Sequence, residues 1–446
     1  MYSIKQSRKE NEDRSIGNMS ENYGCYAKSQ KQCCKYLHEQ YLKNVLDERL
    51  KTILMEKGDS KEASNARHLC FVDYGAADTR NSLEMYEDII QKVHSFNQRN
   101  VESFDKNRRI HFDLGVQDLP GNNWSLAKRN IQNNIASKYD NTLHESLSSY
   151  DSDNSTYEVT EFKGSNLTVT FYPSSFYNTK SLSVKRDSVD IAFTSIATHW
   201  LSSDSIQKYD LKLLNSMSPS QKHTTPSELQ SFINASMEDG IDFLVARGME
   251  LRNGGTLLMC NLAKITSGDA KSSLNNFSDV TNNANTRETN HRYYTYQAIY
   301  DDIHSLLNEW KQRPGIKIKF PLIPAYSKSP KDWEKCFSNP NVVKTGLVLK
   351  HTETRIFANP YYQEIIENST SSISEGKDVQ KKNKEFADEY MKSIMAWGHK
   401  VFMKIFDGNM DMEFQFCEEL KQKFISVNPE RYNHDFAVFI CEAIKN

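Results

Sequence analysis

No apolar run in the 446 residues approaches the ~20 that a membrane-spanning helix needs. The first 22 residues are polar and charged, unlike a secretory signal. There is no long basic run and no acidic tail. With 56 Lys and Arg against 58 Asp and Glu, the net charge is near zero, so the charge pattern calls for no nucleic-acid partner. The cluster of Lys381, Lys382 and Lys384 reads as a solvated face. Cys25, Cys33, Cys34, Cys70, Cys260, Cys336, Cys417 and Cys441 form neither a CxxC nor a Cys/His ligand spacing. This excludes a zinc-ribbon or disulfide-framework reading and points to free thiols in a reducing compartment, hence a cytoplasmic protein. A GxGxxG turn is also missing, which weakens a dinucleotide-binding reading. No repeat is found.

What is present is an alternation of strand and helix signals. Residues 68–73 are a short apolar run ending in Asp73, followed by helical spacing over 82–93. A second strand signal starts at 109–112 and runs toward Asp118; a helix over 124–135 comes after it. Runs at 167–172 and 190–196 are rich in β-branched and aromatic residues. Residues 227–251 carry apolar residues at helical spacing, with Gly254-Gly255 read as the stop and a strand at 256–262. Such alternation predicts a parallel sheet with helices on both faces. Helices are expected at 291–310 and 386–406, and late strands at 343–351 and 436–444 complete the sheet. Three polar stretches, 140–156, 266–290 and 367–383, read as exposed loops.

The most informative segment is Phe71-Val-Asp-Tyr-Gly-Ala-Ala-Asp-Thr-Arg-Asn-Ser82. A strand ends in Asp73, and a turn of small residues leads into a helix. Ligands of open α/β sheets bind at such strand ends. A carboxylate there suits a ligand with an ammonium group, such as S-adenosylmethionine, and is ill placed for a pyrophosphate. A capped strand–turn–helix accounts for the same residues without a ligand. Asp118, in Gln-Asp-Leu-Pro-Gly-Asn at 117–122, follows the second strand and suits ribose hydroxyls; a turn is the bland alternative, and Asp113 is a rival for that role.

Taken in order, the motifs resemble the SABATH methyltransferases, which include salicylate, benzoate and jasmonate carboxyl methyltransferases and the caffeine-pathway N-methyltransferases. Tyr26-Ala-Lys-Ser29-Gln-Lys-Gln32 is similar to the family's Tyr…Asn-Ser-x-x-Gln. Asp73-Tyr-Gly75 through Asn81-Ser82 resembles Asp-Leu-Gly-Cys-Ser-x-Gly-x-Asn-Thr. Asp118-Leu-Pro-Gly-Asn122 resembles Asn-Asp-Leu-Pro-x-Asn-Asp, Pro173 through Tyr177 resembles Pro-Gly-Ser-Phe-Tyr, and His199-Trp200-Leu201-Ser202 matches His-Trp-Leu-Ser. The block Asp242, Leu244, Arg247, Glu250 and Gly254 follows. The resemblance runs from about residue 26 to 262 and loosens afterwards.

It implies an α/β fold: a Rossmann-like class I methyltransferase core sheet with a mostly helical cap. The core would span 20–262, with part of the cap at 203–226, and 263–446 would supply the rest of the cap and the late strands. It implies S-adenosyl-L-methionine as cofactor, a small-molecule carboxylic acid as substrate and a homodimer. Asp73, with Ser29, Gly75 and Asn81, would hold the methionine end; Asp118 and Leu119 the ribose; Ser175 and Phe176 the adenine. Gln32 and Trp200 would orient the acceptor carboxylate, with His199 and Tyr26 lining its pocket.

The chain departs from the family at several places. The glycine of the first loop is Thr79, so that turn is expected to be reshaped slightly. The Asn before Asp118 is Gln117, the Asn before Ser29 is Lys28, and the Tyr three residues before His199 is Ile196. Residues 317–321 lack the Asp-x-Phe-Asn near which some members bind magnesium, so no metal is expected. A carboxylate is ionised at neutral pH and needs no general base, so the lack of a catalytic triad agrees with carboxyl methylation. An N-methyltransferase, a cofactor-binding homologue without turnover and a dinucleotide oxidoreductase are the competing readings. Candidate pocket aromatics from the cap are Trp310, Tyr326, Trp333 and Trp397.

Overall fold

The structure is a computed structural model describing residues 27–55, 67–102, 109–139, 144–152, 155–179, 182–213, 224–264, 297–318, 322–365, 376–426 and 436–446. Nine strands form one sheet: β1 (Arg67–Tyr74), β2 (Ile110–Asp118), β3 (His144–Ser152), β4 (Ser155–Lys163), β5 (Leu167–Pro173), β6 (Val189–Ser195), β7 (Leu251–Leu262), β8 (Leu347–Phe357) and β9 (Phe436–Lys445). Their order is β3–β4–β5–β2–β1–β6–β7–β9–β8. The five central strands, β5, β2, β1, β6 and β7, are parallel. β6 is buried along its whole length, which explains why its sequence lacks polar alternation. The chain moves outward from β1 on one side and returns on the other at β6. That reversal opens a crevice at the carboxyl ends of β1 and β6, where ligands of such sheets sit.

Ten helices are used below: α1 (Lys28–Leu37), α2 (Lys43–Met55), α3 (Leu83–Glu102), α4 (Trp124–Ile131), α5 (Ser203–Lys208), α6 (Pro226–Glu250), α7 (Gln297–Lys311), α8 (Pro330–Phe337), α9 (Gly376–Ile405) and α10 (Met410–Ser426). α3 buries Met85, Tyr86, Ile89, Ile90 and Val93, one helical stripe facing the sheet. α6 starts at a capping box of Thr225 and Glu228 with Pro226 in the first turn. α2 is fastened to the sheet by Arg49, whose guanidinium donates to Asp190 of β6; Asp190 also accepts from the Cys70 amide, 2.8 Å away. A separate core in the cap forms around Trp310 of α7, Phe402 of α9, Phe406 just past its end and Phe416 of α10.

Several expectations change. The sheet is mixed, with antiparallel pairs at both margins. The stretch 140–156 holds β3 and the start of β4, which pair as a hairpin at the edge of the sheet. Leu147 of β3 is 81% exposed, and a strand with little to bury carries no alternation to detect. Gly254 and Gly255 lie inside β7 and do not stop α6, which ends at Glu250 because Leu251 already takes extended backbone. A Cβ on Gly255 would meet the Arg252 and Val189 carbonyls at 2.8 Å, and the β6–β7 register shifts there, so glycine serves a bulge. Of the 367–383 stretch, the described part from 376 is the polar start of α9. The stretch 266–290 lies outside the described residues. Trp333 is buried against Phe439 beneath the sheet and Trp310 inside the cap core, each 1% exposed, so neither lines a pocket. Trp397 packs at the margin of the cap core beside Tyr300.

Candidate active site

The site is built from the loops after β1, β2, β5 and β6, with α1 laid across them. β1 turns at Gly75 (φ 80°), where a Cβ would come within 2.3 Å of the Ala197 Cβ beyond β6. Only glycine fits that approach. Among the described residues six non-glycines have left-handed backbone, and three are aspartates, which tolerate it. The others, Ala77 (φ 50°), Thr79 (φ 69°) and Ile196 (φ 50°), all lie in the loops after β1 and β6. Strain of this kind concentrates at functional sites.

Asp73 and Asp118 close adjacent strands, and the Gly75 amide donates to the Gln117 carbonyl (2.8 Å) between them. Asp73 is 2% exposed; its Oδ2 accepts from Ser82 (2.7 Å) and Tyr86 (2.6 Å). Its Oδ1 takes no hydrogen bond from the described residues. Asp118 accepts from the Ala77 and Leu119 amides, both at 2.7 Å. Burial pushes both carboxyls up to about 6, and at Asp118 the charges of Asp73 and Asp78 act in the same direction. Gln117 is buried, and its amide donates to Ser174 and Ser183 at 2.9 Å, tying the β2 end to the loop after β5. In that loop Ser175 is half-buried, and Phe176 packs on Tyr177 and Phe243 while reaching within 3.5 Å of the place a Gly75 Cβ would take.

α1 brings Gln30 into this edge: its amide donates to the Ser195 carbonyl (3.2 Å) and accepts from Asn81 (2.9 Å). The sequence reading passed over Gln30, although it shares a helical stripe with Cys33, Cys34 and Leu37. Ser29 and Gln32 are half-buried on the same helix. Tyr26 lies outside the described residues.

The segment carrying His199 and Trp200 is held from four sides. The Thr198 amide donates to Asn261 Oδ1 at the end of β7 (3.2 Å). The Tyr326 amide donates to the His199 carbonyl, and the Leu201 amide to Pro324, both 2.7 Å. The Tyr177 hydroxyl donates to the Trp200 carbonyl (2.7 Å). Ser202 donates through its amide and hydroxyl to Asp239 of α6, at 2.7 and 2.6 Å. Backbone pinned at so many points makes a firm platform for two side chains. The Trp200 ring lies against the cap core, 5.1 Å from the His199 ring. Burial, and next the charge of Lys328, push His199 down to about 3, so its imidazole is neutral.

Among the described residues, the buried polar atoms along this edge without a protein partner include Gln32 Oε1, Thr79 Oγ1, Ser195 Oγ, Thr198 Oγ1 and His199 Nδ1. Such atoms are costly unless a ligand or water meets them. Together with the unused oxygen of Asp73 and the glycine cradle, they suit a ligand with amino, hydroxyl and carboxylate groups. Thr79 itself takes left-handed backbone (φ 69°) while 0% exposed. Thr79→Gly is therefore expected to raise the denaturant midpoint. Relief of strain is worth ~1–2 kcal/mol, offset by ~0.5–1 kcal/mol for glycine's freedom in the unfolded chain. A lowered midpoint would show that the lost side-chain packing outweighs the strain.

The sequence profile of SAM-dependent carboxyl methyltransferases matches residues 17–427. The chain belongs to this family. It is thus an S-adenosylmethionine-dependent carboxyl methyltransferase, as the SABATH-like motifs imply, acting on small acids. The methyltransferase is 14% identical to loganic acid methyltransferase, solved with S-adenosylhomocysteine. Those two structures agree with a TM-score of 0.58 over 96% of this chain and 98% of that one. The fold they share is the class I methyltransferase sheet with a helical cap. Haemonchus contortus phosphoethanolamine N-methyltransferase 2 in complex with S-adenosyl-L-methionine is 9% identical, with a TM-score of 0.31 over 89% of this chain and 52% of that one. Geranyl diphosphate methyltransferase in complex with SAM is 6% identical, with a TM-score of 0.29 over 89% and 84%. No curated protein matches the sequence.

Proposed function

We propose that the methyltransferase esterifies a small carboxylic acid held between Gln32 and the His199–Trp200 platform, with the methyl donor gripped by Asp73 and Asp118. One observation carries this reading: buried Asp73, half-buried Asp118 and the His199–Trp200 segment share one sheet edge, where Gly75 closes on Ala197. S-adenosylmethionine, when bound, supplies a methyl group on a sulfonium. Asp73 holds its ammonium, with Asn81 and Ser29 nearby; Asp118, beside Leu119, accepts from its ribose; Ser175 and Phe176 flank the adenine; Gly75 allows the close approach.

The Trp200 indole and the Gln32 amide donate to one oxygen of the acceptor and leave the other free as the nucleophile. No proton has to be removed, because a carboxylic acid is ionised at neutral pH. The chain's task is alignment and exclusion of water. A phenol or a protonated amine would need a base, and an imidazole held near 3 is a poor one. That favours oxygen of a carboxylate over nitrogen as the acceptor.

The reading extends to a homodimer working in the cytoplasm. Its support is the family and seven described cysteines that are all free thiols. Among the described residues no helix is long and apolar enough to cross a membrane. Incubation with methyl-labelled S-adenosylmethionine and a panel of small acids tests the reaction. Base-labile label is expected, as from an ester. Label that survives base, in a nitrogen or ether product, would overturn the carboxyl assignment.

A further inference from the structure

Lys328 is 2% exposed, an unusual place for an ammonium, which is costly to remove from water. Its surroundings are shaped for it. The Nζ lies 4.5 Å from the centroid of the Trp333 ring, at cation–π distance. Gly240 in the interior of α6 leaves room for its stem: a Cβ there would meet Lys328 Cε at 2.7 Å. Glycine inside a helix is itself unfavourable by about 1 kcal/mol relative to alanine. The lysine's backbone is fixed as well, since its carbonyl accepts from the Lys264 amide (3.2 Å) and Ser329, the next residue, caps α8. A methionine would fill the same volume without burying a charge.

The ammonium points at the platform. Its Nζ donates to the Thr198 carbonyl at 3.4 Å, the one hydrogen bond it makes among the described residues. That carbonyl belongs to the residue before His199. Asn261 holds the amide side of Thr198, and Asp239 holds Ser202 at the far end of the segment. Without Lys328, the Thr198 carbonyl would lose its side-chain anchor in a segment whose neighbouring groups are held from β7, α6 and residues 324–326.

We propose that Lys328 is a positioning residue for the acceptor: buried behind the His-Trp segment and accommodated by Gly240, it anchors the Thr198 carbonyl and so sets the direction in which His199 and Trp200 face the acid. The inference rests on the acceptor site proposed above. It assigns Lys328 no contact with the cofactor, because its partners belong to the platform, α6 and α8, and not to the loops after β1 and β2.

Steady-state kinetics of the intact enzyme with its best acid, together with calorimetric binding of S-adenosylhomocysteine, test it. Lys328→Met is expected to lower kcat/KM for the acid by about 10- to 100-fold, the scale of a small misalignment of reacting groups. Affinity for S-adenosylhomocysteine should stay within about 2-fold of wild type. Gly240→Ala pushes on the stem of Lys328 without removing its amine and favours the helix, so it should show the same split to a smaller degree. It decides the question alone if Lys328→Met does not fold. Wild-type kinetics in both variants, or an equal loss of cofactor affinity, would overturn the positioning role. If wild-type enzyme transfers no methyl to any acid, the acceptor reading falls and takes this inference with it. An active wild type with indifferent variants removes the inference alone.

Discussion

Asp73→Asn is expected to weaken S-adenosylhomocysteine binding at neutral pH by about 30- to 150-fold, the ~2–3 kcal/mol of a hydrogen bond to a charged group. The asparagine keeps the volume and can still accept from Ser82 and Tyr86. The fold should therefore survive while the ammonium loses its counter-charge. Binding calorimetry measures the change. A loss under about 3-fold would remove Asp73 from the cofactor site.

The same carboxylates set a pH dependence. Asp73 and Asp118 are both held at about 6 in the folded protein by burial, and an unfolded aspartate titrates near ~3.9. Between those values the unliganded native protein binds protons that the unfolded chain does not. Through these two groups, its stability rises as pH falls from above 6 toward 4. With Asp73 and Asp118 in the proposed roles the liganded state needs both groups ionised, so affinity should run the other way. Each should cost up to about tenfold in affinity per pH unit below its titration point. The rise in melting temperature produced by S-adenosylhomocysteine is therefore expected to shrink between neutral and mildly acid pH. Asp73→Asn removes one of the two steps and should flatten the slope.

Trp200→Phe carries the second large effect. The phenyl ring keeps most of the contact with the cap core, while the indole N–H is lost. kcat/KM for the acid should fall by about 10- to 100-fold, as expected for one hydrogen bond to a carboxylate, with cofactor affinity preserved. A parallel loss of cofactor affinity would place Trp200 in the structural frame of the site and not at the acceptor.

How much of the site was legible depends on how local each signal was. Asp73 and Asp118 end apolar runs, and a strand end with a following turn is written in consecutive residues. Gln30 was legible in principle from the stripe it shares with Cys33, Cys34 and Leu37, yet its partners, Asn81 and Ser195, are distant in the chain. The hairpin β3–β4 was missed because an edge strand with exposed polar faces looks like a loop until its pairing is seen.

The sequence by itself determined the alternation of strands and helices, the two carboxylates at the strand ends, and the order of motifs that names the cofactor and the family. These rest on spacing within one element or one turn, where chain connectivity enforces proximity. Only the tertiary structure decided that β9 enters antiparallel beside β7, that His199 is neutral, and that Lys328 reaches Thr198 across 130 residues of chain. Burial and long-range pairing create those properties, and neither leaves a periodic trace in the residues that share them.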